Sequence, residues 1–218
     1  MGALKAAILP VTPFQQNCTL LWDDGTRHAM VVDPGGEVPR ILDAVRQLGL
    51  SAQRILLTHG HIDHAGGAAE LRDALGVPLW GPDERDAFLL GGLAQSGRGF
   101  GMTAARDVRP DRWLAEGEVV ELGEHRFEVL HAPGHTPGHV VFVNPAERFA
   151  LVGDVLFQGS VGRTDFPYGD GPALLRSIRD KLLPLADEVA FIPGHGPGST
   201  IGAERRSNPF VRQALALP

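Results

Sequence analysis

Residues 58–67 (THGHIDHAGG) constrain this chain more than any other stretch of its sequence. They follow the apolar run 55–57, which is typical of a short buried strand, and precede a predicted helix over 65–75. The side chains that can do chemistry here are His59, His61, Asp63 and His64. The 218-residue chain holds nine histidines, so three of them within six positions are unlikely to occur by chance. A loop of solvated histidines is therefore a poor alternative. Imidazole and carboxylate together indicate a transition-metal site on a strand-to-helix loop.

The spacing within this cluster indicates two ions. On an extended loop His59 and His61 point the same way, whereas Asp63 and His64 begin the next turn and diverge from them. One pair can therefore hold one ion, and the other pair can hold a neighbouring ion.

Three later turns repeat one pattern, in which an apolar strand runs into a glycine-containing turn that presents a histidine or an aspartate. These turns carry His135, Asp154 and His195. Taken singly, each is better explained as a hydrogen-bonded loop residue, but a cluster that already needs partners favours ligands. Five imidazoles and two carboxylates exceed the needs of one tetrahedral ion and suit two, with one carboxylate bridging.

Strand and helix signals alternate along the chain in two halves of similar make-up. The predicted strands are residues 4–9, 18–22, 29–32, 54–57, 78–80, 118–122, 126–131, 139–143, 149–152 and 189–192. The predicted helices are residues 39–48, 65–75, 172–182 and 200–207, the last leading to a tail. Residues 81–113 are predicted to be less regular, with a glycine-rich surface loop between two helical pieces. Two sheets face to face with helices outside would bury both apolar sets, so residues 1–218 are expected to form a single domain.

Charge and composition exclude several classes of function. The formal net charge of −6 argues against nucleic acid or an anionic membrane as a partner, and no feature indicates an obligate protein partner. A single cysteine, Cys18, excludes an internal disulfide framework and fits a reducing compartment. No signal peptide or membrane span is evident in the sequence, so we expect a cytoplasmic protein.

The chain resembles the metallo-β-lactamase fold superfamily in four motifs that occur in order: THGHIDHAGG, GHTPGH, GD and PGHG. Within it the chain is most similar to the short bacterial glyoxalase II-like enzymes, which are hydroxyacylglutathione hydrolases. Four further segments carry that similarity: PVTPFQQNC, GPDERDAF, GSVGRTDFPYGD and PGHGPGST. The resemblance implies an α/β fold, an αββα sandwich with the metal site along one edge. Because 23 residues follow His195, we expect the C-terminal helical domain of longer glyoxalase II enzymes to be lacking.

The resemblance also implies a role for each candidate residue. The first ion would be held by His59, His61 and His135. The second would be held by Asp63, His64 and His195, with Asp154 bridging and with Asp63 and Asp154 also acting in catalysis. Supporting roles, rather than metal binding, are expected for Asp33, His131 and His139.

The implied reaction is hydrolysis of a thioester, S-lactoylglutathione, to lactate and glutathione, a step of methylglyoxal detoxification. A hydroxide bridging two divalent metal ions would attack the carbonyl; zinc is expected, with iron or manganese as alternatives. The departing thiolate is a tolerable leaving group, so no strong general acid is needed. Arg163 and Tyr168, in the loop after Asp154, are the expected substrate-binding residues.

A persulfide dioxygenase with one iron, acting on glutathione persulfide, is the main alternative. Such enzymes share a GRTDF-like loop and most of the histidines, so a count of ligands does not exclude them. A non-catalytic metal-binding module would not need open loops lined by glycine, and a nuclease fits poorly with the net charge of −6.

Overall fold

The first half of the chain forms a five-stranded sheet in the computed structural model, which describes residues 2–217. Its strands are β1 (Leu4–Val11), β2 (Gln16–Asp23), β3 (His28–Val32), β4 (Ser51–Leu56) and β5 (Leu79–Trp80), in that spatial order. Strands β1 to β3 pair antiparallel, as the turn at residues 23–25 predicts. Strands β3, β4 and β5 pair parallel, because helices cross between them.

Three helices connect the parallel strands: α1 (Val38–Gln47), α2 (Ile62–Ala65) and α3 (Ala68–Leu75). The prediction of one continuous helix over residues 65–75 is wrong, because the chain breaks at Gly66 and Gly67. A Cβ at Gly66 would lie 2.7 Å from the carbonyl oxygen of Gly35, and one at Gly67 would lie 2.7 Å from that of Pro34. The loop after β3 therefore approaches these two positions so closely that only glycine fits.

The segment 81–113 is more regular than predicted. It contains a 3₁₀ turn at Glu84–Asp86 followed by α4 (Ala87–Leu90) and α5 (Leu93–Gly99). The glycine-rich stretch is thus helical over much of its length. A Cβ at Gly97 would lie 2.6 Å from the carbonyl oxygen of Met102, so the close return of the chain accounts for this glycine.

The second half forms a six-stranded sheet with the spatial order β13-β12-β9-β8-β7-β6. These strands are β6 (Val119–Leu122), β7 (His125–His131), β8 (Val140–Asn144), β9 (Phe149–Gly153), β12 (Ala190–Pro193) and β13 (Ser199–Thr200). A two-stranded ribbon, β10 (Leu156–Phe157) and β11 (Ser160–Val161), follows β9. Strand β12 pairs parallel with β9, whereas the other neighbours pair antiparallel. It follows that β7, β9 and β12 all run in one direction.

Helices α6 (Gly171–Ser177), α7 (Ile201–Ser207) and α8 (Pro209–Leu215) belong to this half, and α6 continues as a π-helical turn, Ile178–Leu182. The prediction of a tail after residue 207 is wrong, since α8 begins there. The side chain of Asn208 caps α8 by accepting a hydrogen bond from the backbone N–H of Phe210 (2.9 Å), and Pro209 occupies the first helical position.

Three buried apolar layers order these elements as helix, sheet, sheet, helix. In the first layer, alternate side chains of β2, such as Cys18 and Leu20, pack against Ile41 of α1. Leu21 points to the other face of β2 and belongs to the buried layer between the sheets, which also contains Phe142. The third layer lies between the second sheet and α6, α7 and α8. The predicted αββα sandwich is therefore confirmed. No helix among residues 2–217 is both long and apolar enough to cross a membrane.

Candidate metal centre

The seven predicted ligands meet at one edge of the two sheets. His59, His61, Asp63 and His64 follow β4, while His135, Asp154 and His195 follow β7, β9 and β12. Because β7, β9 and β12 run in the same direction, their carboxyl ends open at the same edge. The loop after β4 closes that edge from the first sheet, so each half of the chain contributes to the site.

The first predicted ligand set forms a compact group. One ring nitrogen each of His59, His61 and His135 lies within 4.8 Å of the others, and His59 Nε2 is 3.1 Å from His61 Nδ1. Burial lowers the pKa of His59 well below its ordinary value, that of His61 to about 3, and that of His135 below its ordinary value. Neutral imidazole is the form that binds a metal ion. These three rings are therefore already in the metal-binding form at neutral pH.

The second predicted ligand set, Asp63, His64 and His195, also gathers within 4.8 Å. His195 Nε2 lies 3.1 Å from Asp63 Oδ2, and His64 Nε2 lies 3.8 Å from the same oxygen. Burial opposes protonation of His64, but the carboxylates of Asp154 and Asp63 outweigh it and raise its pKa well above the ordinary value. A divalent cation placed here would replace that proton.

Asp154 lies between the two groups. Its carboxylate oxygens are 3.4 Å from His64 Nε2, 3.4 Å from His135 Nε2 and 3.7 Å from His195 Nε2. Burial opposes ionisation of Asp154, but the surrounding imidazoles, His64 foremost, hold its pKa well below the usual range. A carboxylate that faces both groups has the position required of a bridge between two ions.

The unpaired atoms at the centre of the site test whether a metal fits. His64 Nε2, His135 Nε2 and Asp154 Oδ1 are buried and make no hydrogen bond of good geometry, although each imidazole nitrogen lies 3.4 Å from an oxygen of the Asp154 carboxylate. A buried polar atom without a partner costs about 1 to 3 kcal/mol, and here three such atoms converge. Gly194 leaves room for them, since a Cβ there would lie 2.0 Å from Asp154 Oδ1. These His and Asp groups are suited to binding divalent cations.

The outer ring nitrogens of the histidines are held by neighbouring groups. His64 Nδ1 donates to Asp33 (2.9 Å), His135 Nδ1 donates to the carbonyl of Arg163 (2.8 Å), and His195 Nδ1 donates to that of Phe14 (3.2 Å). His61 Nε2 is hydrogen-bonded to the hydroxyl of Tyr168 (2.9 Å). The carboxylate and the two carbonyls can only accept, so they fix the proton of His64, His135 and His195 on the outer nitrogen and leave the inner nitrogen to face the centre.

The residues expected to support the ligands differ in what they contact. Asp33 lies against His64 as expected. His139 stacks on the ring of His59 at 4.7 Å and accepts a hydrogen bond from the backbone N–H of Asp154 (3.0 Å). His131 has a structural contact rather than one with a ligand, since its ring bonds the carbonyl of Pro137 (2.8 Å) and approaches Arg85. No contact links it to the centre among the residues described.

Asp86 is a site residue that the sequence interpretation missed. It is fully buried and accepts hydrogen bonds from the N–H of Gly60 (2.9 Å), the hydroxyl of Thr136 (2.7 Å) and the N–H of Gly138 (2.6 Å). Burial raises its pKa to about 6, although these three donors oppose the shift. The carboxylate joins the loop that carries His59 and His61 to the loop after His135.

A cavity of about 620 Å³ opens onto the centre. Arg163 and Tyr168 both line it, but the Arg163 guanidinium pairs with Asp165 at 2.6 and 2.7 Å, and Tyr168 is tied to His61. Their predicted role in substrate binding stays a prediction. Several aromatic side chains of the wall were not predicted: Phe14, Phe88, Phe100, Phe157 and Phe166.

Comparison with known proteins agrees with this architecture. The family profile of the metallo-beta-lactamase superfamily matches residues 11–195. The chain is 50% identical over 209 residues to a Haemophilus influenzae protein named hydroxyacylglutathione hydrolase GloC, covering 95% of this chain and 98% of that protein. The crystal structure of BLEG-1 B3 metallo-beta-lactamase is similar, with a TM-score of 0.87, 36% identity, and coverage of 95% of this chain and 99% of that one. That of TTHA1623 in a di-iron-bound form has a TM-score of 0.84, 40% identity, and coverage of 94% and 100%. Because the family profile matches most of its length and a relative is 50% identical to it, the chain belongs to the metallo-β-lactamase superfamily.

Proposed function

We propose that this protein is a metal-dependent thioester hydrolase whose substrates are hydroxyacylglutathiones such as S-lactoylglutathione. The observation that carries the proposal is the pair of His/Asp groups with Asp154 between them and unpaired buried atoms at their centre. This arrangement supports two divalent ions rather than one. The name of the 50% identical relative from Haemophilus influenzae supports the choice of substrate.

Two divalent ions bound to these residues would lower the pKa of a water molecule and polarise the thioester carbonyl. Asp63 and Asp154 both line the cavity, so either carboxylate can accept a hydrogen bond from the attacking water and orient it. Attack forms a C–O bond at the carbonyl carbon, and the C–S bond then breaks with its electron pair on sulfur. The attacking water gives up both of its protons to solvent and the thiolate takes up one, so the products are a carboxylate, a thiol and one released proton. Because a thiol has a pKa near 8.5, departure of the thiolate needs no strong general acid.

Zinc-loaded protein separates this proposal from the one-iron dioxygenase. Hydrolysis needs a Lewis acid alone, whereas dioxygenation needs an iron that changes its oxidation state. We expect two zinc ions per chain by metal analysis and cleavage of S-lactoylglutathione without oxygen uptake. One iron per chain, with oxygen uptake on glutathione persulfide and no thioester cleavage, would contradict the proposal. The di-iron-bound relative makes iron the second metal to load.

The bridging role proposed for Asp154 has its own test. Asp154→Ala is expected to lose bound metal and activity together, because its carboxylate lies within 3.7 Å of His64 and His195 of one ligand group and of His135 of the other. Asp180→Ala is the matched control, since Asp180 is exposed and pairs with Arg179. Two ions per chain with near-normal turnover in Asp154→Ala would show that the carboxylate does not bridge.

The proposal also determines the expected partner and location. The substrate is a small molecule, and neither nucleic acid nor a protein partner is needed for the reaction. Glutathione is the main thiol of the cytosol, so we place the enzyme in the cytoplasm.

A further inference from the structure

The exposed phenylalanines of this protein gather at one place. Phe14, Phe88 and Phe100 are 40%, 53% and 53% exposed, and they are the exposed phenylalanines among residues 2–217. All three line the cavity over the metal centre, although they come from the β1–β2 turn, from α4 and from the end of α5. Large apolar side chains left in water at a single opening indicate a binding surface.

These rings form two groups that reach from the opening to the predicted ligands. Phe14 and Phe100 meet edge to face at 5.2 Å, and the carbonyl of Phe14 holds His195. In the other group Phe88 meets Tyr168 at 5.2 Å.

Tyr168 in turn stacks on Phe166 at 5.3 Å, and the Phe166 ring lies 4.8 Å from the ring of His61. The aromatic surface is therefore continuous with the centre, so a group attached next to the scissile bond would touch it.

Charge recognition is weak along the same wall. Arg163 is the one lysine or arginine among the described residues that line the cavity. Its guanidinium is already paired with Asp165 and lies 4.5 Å from the centroid of the Phe166 ring. The glutathione part of a thioester carries two carboxylates and an ammonium group, and this wall offers no free cation for them. Binding energy here comes from apolar contact.

We propose, on the basis of the thioester hydrolysis inferred above, that the cavity selects thioesters with a flat apolar group, best a phenyl ring, close to the scissile carbonyl. The cavity of about 620 Å³ has room for a phenyl ring beside the scissile carbonyl, and its wall there is aromatic. Edge-to-face and stacked contacts with the rings of the wall stabilise a phenyl group more than a methyl group. The phenyl ring can belong to the acyl group or to the thiol, since both groups are attached next to the scissile bond and lie adjacent to the centre.

Two pairs of substrates test the selection on zinc-loaded enzyme. In the acyl pair, S-mandeloylglutathione replaces the lactoyl methyl group by phenyl. In the thiol pair, the lactoyl thioester of benzyl mercaptan is compared with that of N-acetylcysteamine, since both are alkyl thiols. We expect kcat/KM to be about 10-fold to 100-fold higher for the phenyl member of one pair, which is the discrimination that apolar pockets usually achieve. The pair that shows this difference tells whether the phenyl ring binds as part of the acyl group or as part of the thiol.

Variants then assign the selection to the wall. In the pair that shows the selection, Phe88→Ala is expected to lower the ratio of kcat/KM for the phenyl member to kcat/KM for the other member about tenfold. Phe100→Ala replaces this variant if Phe88→Ala does not fold. Leu215→Ala is the matched control, because Leu215 is 52% exposed on α8 and does not line the cavity. Ratios near one in both pairs, with S-lactoylglutathione still cleaved, would overturn this inference and leave the proposed function intact. No cleavage of any of the four thioesters would overturn the proposed function itself.

Discussion

Asp86→Ala tests whether one buried carboxylate holds the loops of the metal centre together. The change leaves three buried donors without an acceptor: the N–H groups of Gly60 and Gly138 and the hydroxyl of Thr136. At about 2 kcal/mol for each unpaired donor, the loss is about 6 kcal/mol. Burial of the charged carboxylate is no longer required, and a pKa raised from 3.8 to about 6 corresponds to a gain of about 3 kcal/mol at neutral pH. The net expectation is a free energy of unfolding lowered by about 3 kcal/mol.

The measurement is urea unfolding of the metal-free protein in a chelator at pH 7, so that bound ions do not contribute. In a thermal unfolding experiment on a chain of this length, 3 kcal/mol corresponds to a decrease in Tm of about 6 to 12 °C. Asp111→Ala is the matched control, because Asp111 is exposed and accepts a single hydrogen bond, from the N–H of Leu79 (2.8 Å). That variant should lose no more than about 1 kcal/mol. An Asp86→Ala protein within about 1 kcal/mol of the wild type would refute the reasoning.

The pH dependence gives a second measurement of the same carboxylate. The folded protein binds a proton at Asp86 with a pKa of about 6, above the value of 3.8 for the unfolded chain. As the pH falls, Asp86 therefore takes up its proton at a higher pH in the folded protein than in the unfolded chain. The stability of the wild type relative to Asp86→Asn should thus rise by about 2 kcal/mol between pH 7 and pH 4, approach about 3 kcal/mol below pH 3, and fall again as the pH is raised. A difference that does not change with pH would show that burial does not raise this pKa.

Three further substitutions or reagents probe other parts of the chain. Asp33→Ala leaves His64 Nδ1 without its acceptor, so the second ion should bind about 10-fold to 100-fold more weakly in a chelator competition; equal affinity would exclude an orienting role. Cys18 is fully buried, and burial raises the pKa of its thiol, so a chromogenic disulfide reagent should react with it in urea but not in the native protein. Asn208→Ala removes the cap of α8 and should lower the free energy of unfolding by about 1 to 2 kcal/mol in a urea titration; no change would mean that the cap does not stabilise this helix.

The sequence predicted those parts of the fold that have a local cause. Short apolar runs located most of the strands of both sheets, and α1 lies within one residue of its predicted bounds. The histidine cluster and the three later turns identified every member of the two predicted ligand sets, and a third group at this edge adds Asp33 to His59 and His64. Their role as ligands stays a prediction, as does the single domain over residues 1–218.

The parts that were missed have causes that are distant in the sequence. The three donors to Asp86 lie 26, 50 and 52 residues away from it, so no local pattern indicates that this aspartate is buried. The glycines of α5 gave a loop prediction because glycine disfavours helices, yet tertiary contact overrides that propensity at Gly97. The α8 helix was different: Asn208 followed by Pro209 is a sequence signal for a helix start, and it was not used.

Each predicted ligand group draws on both halves of the chain, and this has a consequence for how the molecule unfolds. The first group takes His61 from the first half and His135 from the second, and the other group takes His64 and His195 in the same way. A bound ion would therefore act as a reversible cross-link that closes loops of roughly 70 and 130 residues, a constraint comparable to a long-range disulfide, which is worth about 4 to 5 kcal/mol at such lengths. A chelator would then do more than stop turnover: it would release the two sheets from each other and make the sandwich easier to pull apart.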